Sequence, residues 1–473
     1  MTTFLYTLKM ISVKSSAVKM HLSRVVPCLS VQSLEYRSIH SSSTANQQAE
    51  KASLPSHSRA QRTIPNVVLV DAVRTPFVVS NTVYKELMAV DLQRHALRAL
   101  VDRTKIPFMI LDILSVELLF KNARPVTLPE KLLLLLVFRT RFLHIPLLWL
   151  AYLPGIAGGV ELLSDFPIRY NRKVRSAMID LQKAKTFGDR LSLASTIAKN
   201  ILSPELPAVA EYTTNEVMGT SGDRLAAAFG VSRKEQDDYA IRSHTLAAKA
   251  AKEGKLTDLV PLFIDKGKKK STISADNGVR ISTPEQLARL KPAFIKPHGT
   301  VTAGNASYLT DGASAALITT EEYALQNGHK PRAFLRDTMF VAQDPKDQLL
   351  LSPAYVIPKL LEKAGLKLQD IDVFEIHEAF AGQILANLNA MDSDWFCKTY
   401  MNRPAKFGRV PIEKMNLWGG SLSLGHPFGA TGVRLVAHAA NRLIAEGGRY
   451  AVIAACAAGG HGVGMLVEAY PQK

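Results

Sequence analysis

Three residues of this 473-residue chain combine reactive side chains with settings that suit acyl and proton transfer: Cys456, His426 and His377. Cys456 follows the apolar run Tyr450–Ala455 and opens the glycine-rich turn CAAGG, where backbone N–H groups can receive developing negative charge. His426 lies in SLGHPFGATG, a glycine-rich turn entering a helix N-terminus, a place suited to anions and to lowering a thiol's pKa. His377 lies in EIHEAFAGQ, directly after the apolar run Ile371–Ile376, so a strand-to-helix turn would expose it and Glu378 at the mouth of a sheet. Imidazole titrates near neutral pH and can polarise a carbonyl, and a thiol can act as nucleophile or as acid and base. Taken singly, a lone cysteine is more often a buried structural residue and a turn histidine more often a capping group. Three such residues at strand or turn ends within one α/β half make the stronger case.

The elements that must position them read as α/β layers. VVLVDAVRTPF, 67–77, is a β-branched run expected to be a strand buried on both faces. A helix should follow, with Leu87, Val90, Leu92, Ala96 and Leu97 as its apolar positions. Residues 223–256 read as two helices broken near Gly230–Ser232, with Ser232 and Glu235 forming a capping box. From 333 onward short apolar strands alternate with helices. The helix from about 430 carries Val433, Val436, Ala437, Ala440, Leu443 and Ile444 on one face and stops at Gly447–Gly448. The strand after it delivers Cys456 to its C-terminal end, where open α/β sheets bind ligands. AGG at 157–159 and CAAGG at 456–460 each close an apolar run, which hints at an internal duplication.

Composition sets the frame. The length accommodates two or three domains, and 47% hydrophobic with 21% charged residues is that of a globular protein. Three cysteines, at 28, 397 and 456, make neither a disulfide framework nor a zinc site. The net charge of +17 is scattered without a basic aromatic platform, which argues against nucleic acid and for an anionic small ligand or membrane surface. Residues 1–45 read as a mitochondrial transit peptide, with Lys9, Lys14, Lys19 and Arg24 before the first acidic residue, Glu35. Residues 46–64 read as a linker, and the expected location is the mitochondrial matrix. Between 166 and 200, eight basic residues face only Asp180 and Asp189, and Met178, Leu181 and Ala184 line one side of a helical pattern. Such a basic amphipathic helix can lie on anionic lipid, or it can be a solvated cover of a site. Residues 142–160 approach the length of a membrane span, but Pro146, Pro154 and the closing glycines argue against a spanning helix.

The strings VDAVRTPF, AGGVELLSD, MGTSGDRLA, SRKEQDDYAIRSH, GTVTAGNASYLTDGASA, HEAFAGQILAN, NLWGGSLSLGHPFGATG and CAAGG, in this order, resemble the thiolase family. The HEAF form and the MDSDWF stretch are similar to its trifunctional-enzyme β-subunit branch. The resemblance covers residues 65–108 and 157–471. It implies an α/β fold of two similar α/β/α halves, 65–330 and 331–473, in a five-layered α/β/α/β/α arrangement. It also implies cleavage of 3-ketoacyl-CoA by CoA in fatty-acid β-oxidation, a homodimer, and pairing with a trifunctional-enzyme α subunit at the inner membrane. Under it His426 would activate the nucleophile, and Cys456 would be the general acid/base. His377 would hold an oxyanion through a water, the backbone around Gly459 would line the other oxyanion hole, and Ser307 would contact the pantetheine arm of CoA. No metal or redox cofactor is implied, CoA being a substrate.

One departure matters. Family members carry their nucleophilic cysteine in the first half, shortly before the AGG strand, and here no cysteine lies between Cys28 and Cys397. Residues 109–156 do not resemble the family and read as a misread exon or shifted frame that rejoins the pattern at Ala157. Cys456 cannot be both the acyl carrier and the acid/base, so the chain as it stands is expected not to turn over. The competing reading is a non-catalytic thiolase-like scaffold subunit.

Overall fold

The computed structural model describes residues 65–107, 112–118, 154–165, 168–205, 210–266 and 269–471. The transit peptide and linker expected at 1–64 lie outside them, as does 119–153, the greater part of the segment that departs from the family pattern. The first half runs β1 (Val67–Arg74), α1 (Ala89–Thr104), β2 (Asp112–Leu118), β3 (Gly155–Glu161), α2 (Arg172–Leu181), α3 (Phe187–Asn200), α4 (Met218–Ala228), α5 (Arg233–Lys252) and β4 (Thr310–Thr320). The second runs β5 (Ala333–Ala342), α6 (Ser352–Ala364), β6 (Val373–Ile376), α7 (Ala381–Met391), α8 (Asp394–Met401), α9 (Ser421–Leu424), α10 (Phe428–Glu446), β7 (Tyr450–Ala457) and β8 (His461–Ala469).

These eight strands form one continuous ladder in the order β2-β3-β4-β1-β5-β8-β7-β6, and Leu262–Lys266 pairs with Lys269–Ile273 in a separate two-stranded sheet. Within it the chain repeats itself. β2 pairs parallel with β3, and β3 and β1 both pair antiparallel with β4. β6 pairs parallel with β7, and β7 and β5 both pair antiparallel with β8. Counting strands from the start of each half, both read 2-3-4-1. This makes β3, with its AGG, the counterpart of β7, with its CAAGG, and turns the hinted duplication into a topological fact. The halves meet where Val68 and Leu69 of β1 pair with Phe334 and Ala333 of β5.

The start of the departing segment supplies β2, which fills the sheet position that the repeat demands opposite β6, so the segment is not foreign to the fold throughout. Gly155–Glu161 is a sheet strand, which removes the last third of the candidate membrane span. Among the described residues no helix is long and apolar enough to cross a membrane.

The local readings explain the packing. β1 is buried on both faces, with Val68 and Leu69 fully enclosed, and each such side chain stabilises the fold by roughly 1.5–3 kcal/mol. α1 buries Leu92, Ala96, Leu100 and Val101 against β1, β3 and β4, while Val90 faces solvent instead of the core. α5 starts at its capping box: Ser232 Oγ accepts from the Glu235 N–H at 3.2 Å, and Glu235 Oε2 accepts from the Ser232 N–H at 2.8 Å.

α10 departs from its amphipathic reading. It packs on β1, β3 and β4 of one half and on β6, β7 and β8 of the other, and is buried nearly all round. Its polar residues Arg434, His438, Asn441 and Arg442 are therefore interior. Its first turn sits on β3 so closely that a Cβ at Gly429 would meet the Val160 carbonyl oxygen at 2.7 Å. It ends at Gly447, whose φ of 70° forms a left-handed C-cap.

Candidate active site

The ends of β6 and β7 and the turn before α10 converge on one cavity of about 450 Å³. His377, Cys456, His426 and Ser307 all line it. Each arrives by a different element. The His377 N–H donates to the Ala454 carbonyl at 2.9 Å, continuing the parallel β6–β7 ladder one residue past β6. Cys456 is the penultimate residue of β7, inside the strand, paired with Gly462 and only 7% exposed. Cys456 and Cys397 are in no disulfide. His426 follows Gly425, whose φ is 101°, and its N–H donates to Thr310 Oγ1 of β4 at 3.0 Å. Ser307 is bound to the loop after His377, its N–H donating to the Ala379 carbonyl at 2.9 Å.

The two imidazoles are neighbours, with ring centroids 4.1 Å apart and planes tilted by 46°. Each Nδ1 is engaged: His377 with Ser421 Oγ at 3.0 Å, His426 with Thr431 Oγ1 at 2.7 Å. Burial holds the His377 pKa well below the ordinary imidazole value, and the adjoining His426 and Arg434 push the same way. Burial, with Arg434 behind it, lowers His426 to about 3. Both rings are therefore neutral at physiological pH, able to donate at one nitrogen and accept at the other.

Behind them the loop HEAF is fixed by the fully buried carboxylate of Glu378. Tyr239 Oη donates to it at 2.9 Å, Ser243 Oγ at 2.8 Å, Asn416 Nδ2 at 2.7 Å and the Leu422 N–H at 3.3 Å. This one side chain ties α5, the turn at Asn416 and α9 to the residue next to His377. Arg434 donates to Ser421 Oγ at 2.9 Å and lies 3.6 Å from Glu375, which Arg442 binds at 2.8 Å.

The turn around Gly459 reaches the cavity through its preceding residues. The Gly459 N–H donates to the carboxylate of Glu211, while Ala457 and Ala458 line the cavity. Glu211, the buried acid that takes up this N–H, lies in the loop ahead of α4. The rest of the wall was not singled out in the sequence: Met218, Phe294, Phe380, Phe428, Tyr308 and Leu350 make it largely apolar. Phe294 and Phe380 meet edge to face with centroids 6.0 Å apart, and Phe428 packs 4.8 Å from the His426 ring. Met218 and Phe380 stand inside strings already noted for other reasons, and nothing in their spacing marks them as lining. Among the described residues no group of three or more His, Cys, Asp or Glu is arranged to hold a metal ion.

The basic region 168–205 folds as two helices, α2 and α3, packed together, instead of one amphipathic helix; Leu181 ends α2 and Ala184 lies in the link. Ile179, Phe187, Leu191 and Leu202 are exposed on it. Arg175 is paired with Glu205 at 2.9 Å.

Comparison with known proteins agrees with this geometry. A model of the thiolase N-terminal domain matches residues 154–322, and one of the thiolase C-terminal domain matches 329–469. A probable 3-ketoacyl-CoA thiolase of Caenorhabditis elegans is 64% identical over 429 residues, which span 87% of this chain and 96% of that protein. The human mitochondrial trifunctional enzyme subunit beta is 56% identical over 431 residues, 87% of this chain and 90% of that one. The crystal structure of human mitochondrial 3-ketoacyl-CoA thiolase in complex with CoA superposes with a TM-score of 0.65 at 26% identity, covering 86% of this chain and 99% of that one.

Proposed function

The chain belongs to the thiolase family, and from that premise we propose that its cavity is built for acyl transfer between 3-ketoacyl-CoA and CoA in mitochondrial β-oxidation. The observation that carries the reading is the convergence of His377, His426 and Cys456, from three elements, on one largely apolar cavity that Ser307 also lines. In the complete reaction a cysteine thiolate adds to the 3-keto carbon, with His426 as the base that takes the thiol proton. The bond between C2 and C3 then breaks, its electron pair leaves with acetyl-CoA, and Cys456 supplies the proton to C2. The shortened acyl group remains as a thioester until the sulfur of a second CoA takes it, the proton of that thiol returning to Cys456. His377 holds the thioester oxyanion through a water, and Ser307 meets the pantetheine arm.

The acyl carrier is what this chain lacks. The thiolase family carries it in the first half, shortly before the strand that holds AGG, which is β3 here. No cysteine occurs between Cys28 and Cys397, so the chain as it stands binds CoA esters without turning over, or serves as a non-catalytic subunit. Purified chain assayed for CoA binding and for thiolysis of 3-ketoacyl-CoA tests this. Binding without thiolysis supports the reading, and absence of binding overturns it.

The proposed setting is the mitochondrion, reached through a transit peptide within residues 1–45, with two thiolase halves dividing near residue 330. The proposed partners are a second copy and an α subunit of the trifunctional type, with α2 and α3 lying against anionic inner-membrane lipid. Exposed Ile179, Phe187, Leu191 and Leu202 among Arg172, Lys173, Lys183, Lys185 and Arg190 support the membrane contact.

A further inference from the structure

We propose that Ser421 and Arg434 hold His377 as its Nε2–H tautomer while Thr431 holds His426 as the opposite, Nδ1–H tautomer, so that two touching imidazoles present one donor and one acceptor to the cavity. Ser421 Oγ has two polar neighbours, Arg434 Nη2 at 2.9 Å and His377 Nδ1 at 3.0 Å. Guanidinium can only donate, so it occupies a lone pair of the hydroxyl. The hydroxyl hydrogen then has one acceptor within reach, His377 Nδ1, and in a fully buried serine an unspent O–H is unfavourable. His377 Nδ1 therefore accepts, and its proton resides on Nε2.

The chain at His426 runs the other way. Thr431 Oγ1 lies 2.9 Å from the Pro427 carbonyl and 2.7 Å from His426 Nδ1. A carbonyl cannot donate, so the threonine hydrogen must go to it, or two oxygens would abut with no hydrogen between them. His426 Nδ1 then carries the proton and donates to Thr431, leaving Nε2 as a bare lone pair. His377 is buried and His426 half-buried beside one cation, which keeps both rings neutral and makes the tautomer the variable that matters.

This deepens the acyl-transfer reading and rests on it. A thiol-activating base needs the lone pair, and an oxyanion or its water needs the N–H. Two identical imidazoles 4.1 Å apart acquire these opposite tasks from the hydroxyl behind each. Ser421, Arg434 and Thr431 touch no reacting atom and act as positioning residues.

The test reads the tautomers directly, by nitrogen-15 NMR of the ligand-free full chain labelled at histidine, with His377 and His426 assigned from single His→Gln variants. The expected spectrum shows Nε2 of His377 and Nδ1 of His426 protonated. Ser421→Ala should release His377 into a mixture or into Nδ1–H while His426 is unchanged, Ser421→Thr should restore it, and Thr431→Val should release His426 alone. The unaffected ring in each variant reports that the fold is intact, and the wild-type spectrum decides by itself should a variant not fold. Equal tautomers on both rings, or a His377 signal indifferent to Ser421→Ala, would overturn the proposal. None of these signals needs turnover, so an absence of thiolysis or of CoA binding strikes the functional reading and leaves this one to its own data.

Discussion

The rings of His377 and His426 stand 4.1 Å apart, one at the end of β6 and the other in the turn that opens α10. Two cations at that separation would repel strongly in a medium of low dielectric, and Arg434 adds a third positive charge behind them. Neutrality of both rings is therefore a condition of the fold as much as of the chemistry.

A pH dependence follows. His377 titrates well below the ordinary value of 6.5, His426 at about 3, and His244, buried beside Arg280, at about 4. In each the unfolded state binds the proton first, so stability is fully present above pH 6.5 and is lost as pH falls toward the folded values. Each histidine contributes a slope of up to about 1.4 kcal/mol per pH unit in that window. Urea unfolding between pH 7.5 and 5 should show it, and His244→Gln should remove about one proton's share. A stability flat over that range contradicts the burial of these rings.

Glu378 should be among the most sensitive positions of the chain. Glu378→Ala leaves the donors from Tyr239, Ser243 and Asn416 buried without their acceptor, a loss of about 3–5 kcal/mol. Glu378→Gln keeps the shape but turns one acceptor into a donor and should cost about 1–3 kcal/mol. Thermal melts of the two variants check the order. Equal and small shifts would mean that the loop after β6 is held by something else.

Gly429 lets α10 reach β3. Gly429→Ala places a methyl 2.7 Å from the Val160 carbonyl oxygen, and backbone cannot move aside as a side chain would. The expected cost is about 1–3 kcal/mol, with weaker CoA binding because Phe428 and His426 sit on the same turn. A variant with wild-type melting and CoA affinity would show that α10 has room to shift.

Much of this was legible in the sequence, and the gaps have physical causes. β1, the capping box at Ser232–Glu235 and the glycine stop of α10 announce themselves by local pattern, because burial on both faces, cap chemistry and a left-handed C-cap each depend on a few adjacent residues. His377, His426, Cys456 and Ser307 were identified as strand or turn residues or through the family strings, and the structure brings all four to one cavity. The link from Gly459 to Glu211 was not legible, since nothing near either residue signals a partner so distant in sequence. The burial of Arg434 and Arg442 was hidden for a similar reason: α10 reads as amphipathic until it is seen between two halves of the fold, where Glu375 supplies the counter-charge. The break after Leu181 is not legible, because the apolar spacing continues across the link to Ala184 while the helix does not.

The α2–α3 surface gives a binding prediction. Because Arg175 is already paired with Glu205, the informative set is Arg172, Lys173, Lys183 and Lys185. Replacing these four with Gln should weaken sedimentation with cardiolipin-containing vesicles by tenfold or more at low salt, at about 1 kcal/mol per cation near the surface. Neutral vesicles should show little difference between the two proteins. Retention of full binding by the variant would contradict the membrane contact.

A thiolase-type cavity without its acyl carrier should form no acyl-enzyme, and intact-protein mass spectrometry after incubation with a 3-ketoacyl-CoA reads this. An unmodified chain and no released acetyl-CoA are expected, although CoA binds. An acyl adduct on Cys456, with acetyl-CoA formed in step, would contradict it, because the residue assigned to move the proton would then be carrying the acyl group.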